Sequence, residues 1–167
     1  PFRAAVRLNS GVRAHVKIRH VLTILTTLAV YATTLYAFAQ SSEDYARMSR
    51  ASWSAFECAA FADVLGKAQD HERLFKYGYE QGKVFIEALR AGRVDEKELT
   101  SISPSGFATL AKGPSADFAL GRVFEGALEN GLKDVITPEN VIEVELQHSI
   151  ASRKFSEANC EILGRGL

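Results

Sequence analysis

The chain has 167 residues, 20 basic and 20 acidic, and its 47% hydrophobic share excludes a disordered polypeptide. Arg3, Arg7, Arg13, Lys17 and Arg19 all precede Gln40 and no acid does, so the remainder carries a net charge of about −5. That acidic balance, without a basic stripe interleaved with aromatics, argues against nucleic acid or an anionic membrane surface as partner.

In chain order, the first 39 residues read as an export leader. Lys17, Arg19 and His20 form a short basic patch, 21–38 is an uncharged run, and Ala37-Phe38-Ala39 is a small-x-small cleavage pattern before Gln40. Residues 1–16 are expected to be a non-native upstream extension, 17–39 the signal peptide and 40–167 the folded domain. A retained inner-membrane anchor is the alternative, since eighteen uncharged residues reach the lower limit for spanning a bilayer. The five threonines in that run and the absence of a basic stop-transfer cluster favour cleavage.

The periodicity from Ser41 onward is helical. Ser42 can cap a first helix carrying Tyr45, Trp53, Phe56, Ala60 and Val64 on one stripe, and Gly66 can end it. A second helix is predicted from Asp70 to Ala91, with Leu74, Tyr77, Phe85, Ile86 and Leu89 inward and Gly92 as its stop. Asp95 caps a short helix through Leu99. Serine, proline and glycine at 101–115 break the pattern, with Phe107 and Leu110 as anchors. Ser115 caps a third long helix to about 135, with Phe118, Val123, Phe124, Ala127 and Leu128 inward. Thr137, Pro138 and Glu139 signal a restart, and the last helix then carries Val141, Val144, Leu146, Ile150, Phe155 and Cys160. No alternating strand pattern appears. The predicted fold is therefore all-α, a single-domain bundle of about four long helices plus one or two short ones.

Cys58 and Cys160 are the only cysteines. In an oxidising compartment they are expected to form one disulfide joining the first helix to the last.

One string recurs. Gly82-Lys83-Val84-Phe85, ending at Gly92, is matched by Gly121-Arg122-Val123-Phe124, ending at Gly131. A glycine inside a helix costs about 1 kcal/mol against alanine, so it needs a reason. The first reason is close packing. The functional alternative is a groove lined by Gly78, Gly82 and Gly121, with Lys83 and Arg122 as its charged lips.

Catalytic constellations are missing. There is no Gly-x-Ser-x-Gly elbow, and Gly82-Lys83 lacks the remainder of a phosphate loop. Asp63, Asp117 and Glu125 are carboxylates available for glycoside cleavage, but nothing in their spacing pairs them. Asp117 reads as a first-turn acid and His71 as a solvated side chain. Glu145 and His148 stand at the Glu-x-x-His spacing of di-iron bundles, which require a second such motif that this chain lacks. Met48 near the start and His148 on the last helix resemble the placement of haem ligands in b-type four-helix cytochromes. That resemblance implies a haem between them, although Met48 reads first as core filler.

The reading that results is a periplasmic or secreted helical binding protein without cofactor or catalytic activity, such as an inhibitor, immunity or accessory protein. Its expected partner is another envelope or secreted protein, with membrane contact only if the leader is retained. The alternatives are a periplasmic enzyme using surface carboxylates on cell-wall or sugar substrates, and a haem- or metal-binding bundle.

Overall fold

The computed structural model describes residues 40–165. The expected leader, its cleavage point and the 1–16 extension lie outside those residues. Among the described residues every regular element is a helix, and from Ser41 on the chain forms one compact unit.

Helix α1 spans Ser42–Val64 and α2 spans Ala68–Arg90, about 34 Å each at 23 residues. The cap of α1 is Ser41, one residue earlier than expected. Ser41 Oγ accepts from the Asp44 N–H (3.1 Å) while Asp44 Oδ2 accepts from the Ser41 N–H (3.0 Å). Ser41 wins because it alone stands three residues before an acid, as a reciprocal capping box requires. The Ser41 hydroxyl and backbone N–H hold the Asp44 carboxyl below its ordinary range.

The end of α1 is a Schellman turn on Gly66 (φ +66°). Gly66 N–H donates to Asp63 O (2.9 Å) and Lys67 N–H to Ala62 O (2.8 Å). The turn closes quickly enough for α2 to begin at Ala68, ahead of the expected start near Asp70. Gly92 ends α2 by the same pair of bonds.

Two short helices follow, α3 at Glu96–Ser101 and α4 at Ser105–Leu110. Helix α4 forms inside the stretch that reads as a break. Phe107 is fully buried, its ring meeting Phe85 edge-on at 5.1 Å, and that burial stabilises a turn with little propensity of its own. Side chains of α1 hold this region in place. Ser42 Oγ accepts from Asp95 N–H (2.7 Å), Ser49 Oγ bonds Ser103 Oγ (2.8 Å), and the Arg50 guanidinium donates to Ile102 O (2.9 Å).

Helix α5 spans Ala116–Leu132, and its cap Ser115 accepts from Phe118 N–H (3.0 Å). Helix α6 spans Val144–Glu157. The restart expected at Thr137 does not start a helix. Asn140 is buried there, its Oδ1 accepting from Thr137 N–H (2.7 Å) and its Nδ2 donating to Val135 O (3.0 Å). The Asn140 side chain thus ties Thr137 to Val135, and 138–142 forms turns before α6 begins. Four inward assignments also fail. Val141, Val144 and Leu146 are exposed, although Phe155 is buried as expected and Ala151 joins it; Phe118 is 52% exposed.

The core has two parts. The first gathers Phe56, Phe85, Ile86, Phe107, Leu120 and Val123 from α1, α2, α4 and α5. The second gathers Phe61, Leu74, Val135 and Phe155 around the bond between Cys58 and Cys160, whose Cα atoms are 5.5 Å apart. Asn159, at φ +53°, closes α6 with a Schellman turn and delivers Cys160 to α1. Arg73 then clamps this end: it pairs with Asp70 (2.9 Å) and donates to Cys160 O (3.0 Å) and Leu163 O. Removing the bond in a Cys58→Ala, Cys160→Ala protein is expected to cost about 2–5 kcal/mol, read as a lower urea midpoint.

Candidate functional site

The two copies of the repeated string lie on α2 and α5, but they face different surroundings. Gly82 is buried, whereas Gly121 is exposed. Val84 is partly exposed, whereas Val123 is fully buried. The α5 copy is thus rotated about its axis relative to the α2 copy.

Gly78 and Gly82 do not line a groove. A Cβ at Gly78 would sit 2.8 Å from the Phe56 ring, and one at Gly82 would sit 2.5 Å from Leu120 Cδ2 and 2.6 Å from Ser52 Oγ. Ser52 Oγ donates to Gly78 O (2.7 Å) across the same seam. These two glycines let α2 approach α1 and α5 closely. Around Gly121, by contrast, a Cβ would meet nothing within 4 Å.

Beside Gly121 lies a pocket of about 170 Å³. Phe56, Phe75 and Tyr79 form one side, and Asp117, Leu120 and Phe124 of α5 the other. Phe124 meets the rings of Phe75 and Phe56 edge-on at 5.2 and 5.3 Å. These three rings make an apolar lining. His71 stacks on the outer side of Phe75 at 6.3 Å.

Three polar side chains converge at its mouth. Tyr79 OH donates to Asp117 Oδ1 (2.7 Å), and Lys83 Nζ donates to Asp117 Oδ1 (3.3 Å) and to Tyr79 OH (3.4 Å). The Tyr79 hydroxyl, then the Lys83 ammonium, holds the Asp117 carboxyl below its ordinary range. The Tyr79 hydroxyl, then Asp117, raises Lys83 above an ordinary lysine. Both groups keep their charge through neutral pH, so neither is poised to move a proton. Lys83 reaches Asp117 and Tyr79 from outside the pocket and does not line it. Arg122 donates to Lys112 O (3.0 Å) and lines a shallower neighbouring depression with Phe118, which Gly121 and Asp117 also border.

The remaining sequence candidates are dispersed. Met48 is half-buried against the first core, while Glu145 and His148 are exposed on α6. Among the described residues no three His, Cys, Asp or Glu side chains gather as a metal site. Sequence reasoning missed Asp117 and Phe75 as pocket residues. Helical spacing places Phe75 four residues before Tyr79, but nothing local brings Asp117 to Tyr79.

A second surface stands out between Ile136 and Leu146. Ile136, Val141, Val144 and Leu146 are all exposed there, and Ile142 is 87% exposed. Glu139, Glu143 and Glu145 interleave with them, and none pairs with a cation among the described residues. The Thr137 side chain, then the backbone N–H of Glu139, holds the Glu139 carboxyl below its ordinary range.

Comparison with protein-family models, curated proteins and solved structures finds no match to this chain.

Opposite outcomes are expected at the paired glycines. Gly121→Ala should stabilise the fold by up to about 1 kcal/mol in urea unfolding, because helix propensity improves and nothing is displaced. Gly82→Ala should destabilise it by about 1–3 kcal/mol, because Leu120 and Ser52 must move. Since the folded Asp117 carboxyl titrates lower than in an unfolded chain, its contribution is present at neutral pH and is lost as pH falls through the folded value. Carboxyl NMR should find Asp117 titrating below the ordinary aspartate range, and Lys83→Met should move it back up.

Proposed function

We propose that this protein is an exported, non-catalytic binding protein that engages another envelope or secreted protein, as an inhibitor, an immunity protein or an accessory subunit. The observation that carries the reading is the exposed aliphatic stretch from Ile136 to Leu146. Side chains of this size are ordinarily buried, and several exposed on one short segment mark an interaction surface. The interleaved carboxylates of Glu139, Glu143 and Glu145 select the partner's chemistry: apolar residues flanked by lysine or arginine.

Three further features support the reading. The buried bond between Cys58 and Cys160 suits an oxidising compartment such as the periplasm. The leader expected at 17–39 supplies a route there. The charges of Asp117 and Lys83 are locked, which favours binding over proton transfer.

Site-specific photo-crosslinking in the cells that make the protein tests this. A photoreactive residue at Ile142 should yield one discrete protein adduct, and the same residue at exposed Lys97 should yield none. Ile142→Ser with Val144→Ser should abolish an adduct formed from position 141 while changing stability by less than about 0.5 kcal/mol. Absence of any adduct at 141 and 142, or equal labelling at 97, overturns the reading.

A further inference from the structure

We infer that the pocket beside Gly121 binds a compound with a single aromatic ring carrying one hydrogen-bond donor, such as a hydroxyl. This site is distinct from the Ile136–Leu146 stretch and does not depend on the partner proposed for it.

Size sets the class. A pocket of about 170 Å³ is too small for a nucleotide or a haem. It matches the roughly 150 Å³ that holds one benzene ring in an apolar cavity. The lining suits such a ring, since Phe75, Phe124, Tyr79 and Leu120 supply aromatic and aliphatic surface. Polarity enters at one edge only. Asp117 Oδ1 is occupied by Tyr79 and Lys83, whereas Oδ2 accepts no hydrogen bond among the described residues. A ligand hydroxyl at the mouth has that oxygen as its acceptor.

Gly121 is the independent observation. At Gly78, Gly82 and Gly126 a Cβ would meet Phe56, Leu120 and Leu110 at 2.8 Å or less, so packing accounts for each. At Gly121 nothing within the chain does. Gly121 itself lines the pocket and faces open space, so a long side chain placed there has room to fold over the entrance.

Phenol and toluene are the probes, titrated into the intact oxidised protein and followed by NMR at the Gly121 amide and Leu120 methyls. Both should bind at these positions with phenol the tighter, and Asp117→Asn should weaken phenol about five-fold while leaving toluene within about two-fold. Gly121→Leu should weaken both by at least about ten-fold while the unfolding midpoint holds or rises, which separates blockage from misfolding. A capped Gly-Tyr-Gly peptide distinguishes the source of the ring: phenol binding as tightly as the peptide assigns a free small molecule, and a tighter peptide assigns a partner's side chain. Shifts absent from Gly121 and Leu120 up to the solubility of both probes, or unchanged binding to the Gly121→Leu protein, overturn the inference.

Discussion

At Gly78 and Gly82 the backbone of α2 presses against the ring of Phe56, the hydroxyl of Ser52 and the end of Leu120, with no room for a methyl group. This close approach sets the spacing of three helices at once, because Ser52 and Phe56 belong to α1 and Leu120 to α5. The Ser52 hydroxyl would be costly to bury alone, but it is satisfied by the Gly78 carbonyl it now reaches. The same contact positions the pocket. Phe56 and Leu120 are its deepest walls, and they stand where they do because two glycines in α2 admit them.

The far end of the bundle is held differently. Few large side chains come from α6, which buries only Ala151 and Phe155 along its length. The chain after it is secured by the bond between Cys58 and Cys160, by the left-handed turn at Asn159 and by the donations of Arg73 to two backbone carbonyls. A covalent link across 102 residues restricts the unfolded chain strongly, which offsets a modest apolar contribution from this end. Between α5 and α6 only Val135 contributes an apolar side chain to the core. Asn140 holds the turns there by hydrogen bonds, and Val141, Ile142 and Val144 remain outside the core.

Charge on this protein is paired in one place and unpaired in another. Lys83, Tyr79 and Asp117 neutralise one another at the pocket mouth, and exposed pairs of this kind contribute little stability. Their consequence is geometric, since Tyr79 is oriented by its bond to Asp117 and so presents its ring to the pocket. The acids between Ile136 and Leu146 have no such internal partners, so their field extends outward to whatever approaches.

The amino-acid sequence alone determined the helical class, the long helices, the glycine stops at Gly66 and Gly92, the Ser115 cap and the pairing of the only two cysteines. These features rest on interactions within about four residues along the chain, or on the absence of any other thiol. Tertiary structure decided the rest. The repeated string looks equivalent in both copies, yet burial depends on which face each helix turns to its neighbours, and that rotation buried Gly82 while exposing Gly121. Thr137 carries every local sign of a helix start, yet only turns follow it, with Asn140 buried beneath them and tied back to Val135. Asp117 reached Tyr79 across 38 residues only because α2 and α5 pack side by side, and no local periodicity records which helices become neighbours.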